Sequence, residues 1–505
     1  MTPPSSLRAN LLANLVGQVW VALIGIVFVP LYIHHIGVES YGVVGFFVAV
    51  QALYSLFDMG LTATLNREMA LLAATQPGRI GTLVRTLEWM YLPFALAIGG
   101  VTWLMADIIA THWVRPVHLT HGEVAQGIAL LGLAAALQWP ASFHIAGLAG
   151  LQRQVLLNAM KIGSATITSV GCLVVVMHVP TLAAFLWWQV AMAALQSMVY
   201  ALVMWRVIPP AATRPAFAAS EVRRTYRFAG GMLAVTFVSL ALTQADRLVL
   251  SGTLTLAEFG NYCVAAALAA MLYRLTQPMF VAVVPRYTQL VAAGDEVELA
   301  RQYHLTSQAL AALLAPAAVM GCVFAEELVG AWSGDAGLTH AVVPVFQLLV
   351  VSSAIHGLMT LSYALQIAHG WTRLALYLNM GSVAVVVPLF WIWGSAYGGV
   401  GAAWAWVCLT CIYLFVGIPL THRRLLKSEM WRWYLYDIAP VTIACLTTGL
   451  MLRQVAGVLP TNWRVWPILI AFGAITALVG VCALPSLRRA VLGRIAETIQ
   501  HAVVR

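Results

Sequence analysis

Two charged side chains stand where charge is expensive. Arg274 lies near the middle of a long apolar run that begins around residue 258, and Asp58 lies well inside another that begins around residue 40. A charge at the centre of a membrane-spanning helix costs roughly 2.5–3.5 kcal/mol or more, so such residues mark sites by default. A guanidinium at that depth pairs with a carboxylate or receives an anion. A carboxylate there pairs with a cation or carries a proton. Each has polar company. Gln51, Ser55, Asp58 and Thr62 fall four, three and four residues apart, which places them on one helix face. Gln277 follows Arg274 by one turn, with the kink-prone Pro278 beside it.

Other polar groups follow the same spacing. Thr236, Ser239, Thr243 and Asp246 share a face of the helix expected at 228–251, while Arg247 points elsewhere, within reach of headgroups. Asn10, Asn14 and Gln18 recur every four residues in the first helix. Amides so placed suit hydroxylated ligands, and they equally well bind helices together. Lys161, two turns into the fifth helix, and Glu88, one turn into the third, are within snorkelling distance of water. Lys161 reads first as an interface lysine and second as an entry-side contact for an anion.

Several chemistries are excluded. No G-x-x-x-x-G-K-[ST] phosphate loop exists, and no soluble domain could hold a nucleotide. The thirteen histidines are scattered at helix ends, His34 and His35 are adjacent and diverge, and no HExxH or ligand-spaced cluster implies a metal. All seven cysteines fall in apolar runs; Cys408 and Cys411 are three apart on one expected helix, with no second Cys/His pair to complete a metal site, so they read as small core residues. No cofactor is expected, with H+ or Na+ coupling left open.

The elements that must position these groups follow from composition. Charged residues are 9% of the 505-residue chain and hydrophobic ones 61%, and the mean hydropathy is +0.87. A soluble domain is about 25% charged. The chain is therefore an all-α polytopic membrane protein, and its net charge of +9 speaks to topology and not to nucleic acid. Apolar runs predict fourteen spans, from 10–34 and 40–66, through 302–328 and 398–421, to 433–454 and 463–485. The first reads as a retained signal anchor.

Of the 27 basic residues, 22 collect on the side that holds the N-terminus, which the positive-inside rule makes cytoplasmic. Both termini are expected there. Residues 1–207 form an N-lobe of six helices, 208–227 a proline-containing and basic interfacial linker, and 228–424 a C-lobe of six helices. Residues 425–485 add helices 13 and 14, and 486–505 form an amphipathic cytoplasmic tail with Leu487, Val491, Ile495 and Ile499 on one face.

The lobes repeat. Ser40-Tyr41-Gly42 matches Glu258-Phe259-Gly260 at a shift of 218, Gly150 to Arg153 matches Gly370 to Arg373 at 220, and Trp187 matches Trp406. Six helices return the chain to its starting side, so the two lobes share one orientation. They are expected to be related by a pseudo-two-fold axis along the membrane normal, with a substrate path between them.

The stretch Ile36-Gly-Val-Glu-Ser-Tyr-Gly42, with Asp58-Met-Gly-Leu61 and Asn66-Arg67, resembles the opening of bacterial polysaccharide-biosynthesis membrane proteins. Ala245-Asp-Arg-Leu-Val-Leu250, Glu258-Phe-Gly-Asn-Tyr262 and Val284-Pro-Arg286 carry the same resemblance. It points to the O-antigen translocase group, flippases of the multidrug/oligosaccharidyl-lipid/polysaccharide exporter superfamily. The resemblance implies a non-enzyme of the bacterial inner membrane. It would move an undecaprenyl-diphosphate-linked oligosaccharide from the cytoplasmic to the periplasmic leaflet by alternating access through a cationic cavity.

On that reading Arg274 and Gln277 meet the head of the substrate, with Arg247, Lys161, Asn14, Gln18 and Gln51 as further contacts. Asp58 and Asp246 are the ion-coupling candidates, Asp58 pairing with Arg274 when substrate is absent or carrying the coupling proton. The partners implied are the lipid-linked glycan, membrane lipids and the polymerase and chain-length proteins of the pathway, with the chain itself a monomer. The alternative within the superfamily is a drug/cation antiporter, which would favour an acidic, aromatic cavity. A glycan polymerase or membrane glycosyltransferase would call for a large periplasmic loop or a cytoplasmic loop with paired acidic residues, whereas the periplasmic connections are short and no DxD-type site exists.

Overall fold

The computed structural model describes residues 7–54, 61–209, 216–218, 240, 243–457 and 459–484. Asp58 and Ser55, Thr236 and Ser239, most of the expected 208–227 linker and the 486–505 tail lie outside the described residues, as does the side chain of Asn10. Among the described residues the regular structure is helical, apart from one isolated bridge between Arg115 and Thr255. This is the expected fold class. Backbone polar groups in hydrocarbon have to be satisfied within their own segment, and the helix does that.

Eleven described stretches are long and apolar enough to cross a membrane. Two of them each hold a pair of spans folded at a glycine. Leu7–Tyr54 (α1) turns at Gly37, φ 78°, and Thr372–Ile412 (α12) turns at Gly398, φ 61°. Both need the positive φ that glycine adopts without strain. The span expected at 228–251 is described as a helix over 243–253 (α7).

The chain divides into two compact units, residues 1–260 and 261–505. In the first, α1 and Leu61–Thr75 (α2) are followed by Ile80–His112 (α3) and His121–Gly150 (α4), then by Gln154–His178 (α5) and Leu182–Val207 (α6). Helix α2 runs past the end expected at residue 66, because Met69 and Leu72 continue its buried face. Helix α4 is the hub, packing against α2, α3 and α6, while α1 packs against α5.

This unit extends beyond the expected linker because 243–260 is tied into it. The Trp113 indole donates to Ser251 Oγ at 3.0 Å, and Leu256 N–H donates to the Arg115 carbonyl at 2.9 Å. The repeated motif explains itself here. A Cβ on Gly42 would strike the Leu256 carbonyl, and one on Gly260 would strike the Val38 carbonyl. Both glycine and contacted residue shift by the same 218 positions, so the two motif copies approach each other reciprocally, backbone to backbone. Glu39 of the first copy accepts the N–H groups of Val117 and His118 at 2.6 and 2.9 Å.

The second unit takes up most of Leu256–Ala293 (α8), then Glu296–Val323 (α9), Ala325–Ser333 (α10), Ala336–Ala368 (α11) and α12. The single span expected at 302–328 is corrected to two helices. Phe324 leaves helical geometry at φ −115°, ψ 32°, and the short α10 brings Glu327 onto Arg453. A π-helical turn over Tyr413–Gly417 links α12 to Ile418–Leu425 (α13). The next span begins as Met430–Arg432 (α14), widens into a π turn over Trp433–Ile438 and continues as Ala439–Ala456 (α15). Trp466–Cys482 (α16) is the last described helix. Helix α9 is the hub of this unit, packing against α11, α15 and α16.

Candidate functional site

The expected site residues fall into separate neighbourhoods. In the first unit Asn14 accepts a 2.5 Å hydrogen bond from Asn158 Nδ2, across the contact where α1 meets α5. Lys161, half-buried, sits one turn beyond Asn158 on α5. The amide stripe on α1 therefore divides: Asn14 is engaged in holding two helices together, and Gln18 is exposed. Gln51 donates to Gln138 Oε1 on α4 at 3.3 Å, a second interhelical amide pair. On α7 Asp246 is buried, 4% exposed. The half-buried Arg247 reaches Gln244 Oε1 at 3.5 Å.

The second unit holds a cavity of about 380 Å³ between α8, α11, α12 and the π turn that leads into α13. Tyr273, Gln277 and Phe280 line it from α8. These positions share one helix face. Arg274 is exposed and lies about a quarter-turn round α8 from the centre of that face. Of the expected pair, Gln277 lines the cavity and Arg274 does not.

Aromatic rings and neutral polar groups make up the rest. Phe280 and Tyr363 stack at 6.0 Å with planes 4° apart, and His356 packs 5.5 Å from Tyr273 and 6.2 Å from Tyr413. Tyr413 donates to Asn379 Oδ1 at 2.7 Å, and Gln366 Nε2 donates to Thr421 Oγ1 at 2.8 Å. The second amide atom, Gln366 Oε1, is buried with no protein partner among the described residues. Among the described residues no carboxylate lines this cavity. Flat apolar rings beside amides and hydroxyls match the two faces of a pyranose, one C–H and one O–H.

Sequence reasoning missed two charged clusters. Glu88, expected to reach water, is instead held by three donors from the first unit. His144 Nε2 approaches Oε1 at 3.0 Å, the Trp205 indole donates to Oε1 at 2.8 Å, and Arg85 donates to Oε2 at 3.1 Å. In the second unit His304 stands between two carboxylates: Nε2 meets Glu429 Oε2 at 2.9 Å and Nδ1 meets Asp437 Oδ2. Gln308 donates to the other Asp437 oxygen at 2.8 Å. The i, i+4 spacing of His304 and Gln308 was the available signal, but their partners lie over 120 residues away. Among the described residues no group of His, Cys, Asp and Glu is arranged to hold a metal.

Residues 36–341 match the model of a family described as polysaccharide biosynthesis protein. A Shigella flexneri protein described as "Putative O-antigen transporter" is 20% identical over 79% of this chain and 94% of its own length. Among solved structures the fold is similar to that of the lipid II flippase MurJ in an inward closed conformation. The TM-score is 0.72 at 12% identity, covering 93% of this chain and 97% of that one. An inward-facing multidrug resistance MATE family transporter of the MOP superfamily gives 0.64 at 12% identity, covering 82% and 96%. A MOP superfamily transporter from Pyrococcus furiosus gives 0.54 at 14% identity, covering 84% and 96%. At these identities the structural likeness is one of fold. These relatives are transporters and flippases, not enzymes.

Proposed function

Because the chain belongs to the polysaccharide biosynthesis protein family, whose model spans more than half of it, we propose that it is a flippase for an undecaprenyl-diphosphate-linked oligosaccharide. It carries an O-antigen, capsule or exopolysaccharide unit from the cytoplasmic to the periplasmic leaflet of the bacterial inner membrane, by alternating access and with both termini cytoplasmic. The observation that carries the reading is the second-unit cavity. Among the described residues its lining is aromatic, amide, hydroxyl and aliphatic, with no carboxylate, and Arg274 stands one turn before the lining Gln277 on α8. That chemistry receives sugars and a diphosphate, and it gives a cationic drug no counter-charge, so it favours the flippase over an antiporter of the multidrug type.

In this scheme Gln277, Gln366, Asn379 and the tyrosines take up sugar hydroxyls and ring faces, and Arg274 meets the diphosphate. The prenyl chain stays in lipid, where its transfer has no cost. Lys161 and Arg247 serve as cationic contacts, Asn14, Gln18 and Gln51 as polar ones in the first unit, and Asp58 and Asp246 as candidates for H+ or Na+ coupling. The chain works as a monomer beside the polymerase and chain-length proteins.

Arg274→Ala tests this directly. Surface glycan, assayed in a strain whose own flippase is deleted, should fall at least about tenfold, the order lost with one charge-assisted contact. The protein should remain inserted and abundant. Full export by that variant would refute the assignment of the cavity.

A further inference from the structure

The His304 cluster has a proton count that its geometry fixes. Both ring nitrogens face carboxylate oxygens, Asp437 at Nδ1 and Glu429 at Nε2. A neutral imidazole carries one N–H and cannot donate to both. Either the ring holds two protons or one carboxyl holds the second. The assembly as drawn therefore contains one more proton than a neutral histidine between two carboxylates. This proton sits in a dry place: His304 is 3% exposed and Asp437 0%.

The cluster joins parts of the fold that are far apart in the chain. His304 belongs to α9, Glu429 precedes α14, and Asp437 lies in the π turn that opens α15. A π turn carries an extra residue and tolerates repacking, and such turns recur at functional sites. The neighbours lead straight to the cavity. Tyr303, adjacent to His304, bonds Ser362 of the cavity lining at 2.7 Å. The ring of His422 packs 5.4 Å from Tyr303 and 6.2 Å from Trp433. Its own neighbour in the chain, Thr421, bonds Gln366 inside the cavity.

The other groups facing the cluster are few. From α14 Arg432 reaches Glu429 at 3.4 Å. From α13 His422 gives Nδ1 to the Ile418 carbonyl, and its Nε2 is buried with no partner among the described residues. From α9 Gln308 donates to Asp437 and Tyr303 is engaged with Ser362. From the π turn Tyr434 donates to the Leu414 carbonyl. Among the described residues Arg432 is the fixed positive charge paired with the cluster, and it serves Glu429.

We infer that His304, Asp437 and Glu429 form a proton-binding site of the second unit, and that the bound proton clamps α9 to the α14–α15 span behind the cavity. Loss of the proton turns one ring lone pair toward a carboxylate, and that contact becomes repulsive. The clamp is therefore closed while the proton is bound and loosens when high pH removes it. As the energy source for transport, this site rests on the flippase reading; as a proton site, it stands without it.

The test uses the purified full-length protein and needs no glycan. Amide hydrogen exchange of 430–456 is measured from about pH 5 to about pH 9 and corrected for intrinsic rates. Protection should fall about tenfold across that range. In His304→Gln the dependence should vanish. If that variant does not fold, Glu429→Gln, altered at a partly exposed position, should move the midpoint to lower pH, because one fewer carboxylate holds the proton. Protection that is flat with pH in the wild type, or an unchanged profile in either variant, would overturn the proton site. Failure of the Arg274→Ala export test would instead overturn the flippase reading and leave the exchange result standing.

Discussion

The two units each hold a charged cluster, on α3 against the hub in the first and on the hub α9 itself in the second, and the clusters have opposite hydrogen-bond balance. In the first unit one carboxylate, Glu88 on α3, collects three donors from Arg85, His144 and Trp205. In the second, two carboxylates compete for one ring on α9 and one amide, Gln308. The first cluster has donors in excess and closes without an added proton: one N–H at His144 Nε2 suffices, and Nδ1 has no partner among the described residues. The second has acceptors in excess and closes only by taking a proton up. One unit thus carries a fixed brace and the other a proton-dependent clamp.

The sharpest way to break this contrast is Asp437→Ala. It leaves His304 and Gln308 without their shared acceptor in a site of 0% exposure, and removing one partner of a buried ion pair costs about 3–5 kcal/mol. Equilibrium unfolding in detergent should register that loss, concentrated in the second unit, and a change below about 1 kcal/mol would mean the pair is solvated. Glu88→Gln should cost less, about 2 kcal/mol, because the amide oxygen still accepts from His144 and Trp205 while its NH2 opposes Arg85. This loss should be the same at pH 6 and pH 8. A pH-dependent loss would make the first cluster titratable too and erase the difference between the units.

Much of this was legible in the chain and some was not, for physical reasons. The spans were legible because hydrocarbon admits few alternatives to an apolar helix. The repeated glycines were legible as a pattern, and the reciprocal carbonyl contacts of Gly42 and Gly260 supply the cause. Gln277, which lines the cavity, stood out because it follows an intramembrane charge by one turn. His304 and Asp437 did not, since no local spacing relates residues 133 positions apart, and the π turn that aims Asp437 has no sequence signature. The break at Phe324 was hidden as well, because the apolar run continues through it while the backbone does not.

The smallest effect separates structural glue from substrate contact in the first unit. Asn158 donates to Asn14 across α1 and α5, and also to the Gln154 carbonyl of its own helix. A neutral hydrogen bond between membrane helices contributes about 0.6 kcal/mol on average, so Asn158→Ala should lower unfolding stability by only that order. Unlike the ionic clusters, this pair loses little because both of its partners are neutral. Glycan export is the discriminating readout. If Asn14 and Lys161 touch the substrate, loosening Asn14 from its partner should change export severalfold while stability barely moves, since positioning errors near a bound ligand cost more than the contact itself. If Asn14 only joins α1 to α5, export should track the small loss of stability. Measured beside Arg274→Ala in the same strain, the ratio of the two export defects would show how the substrate's contacts are divided between the units.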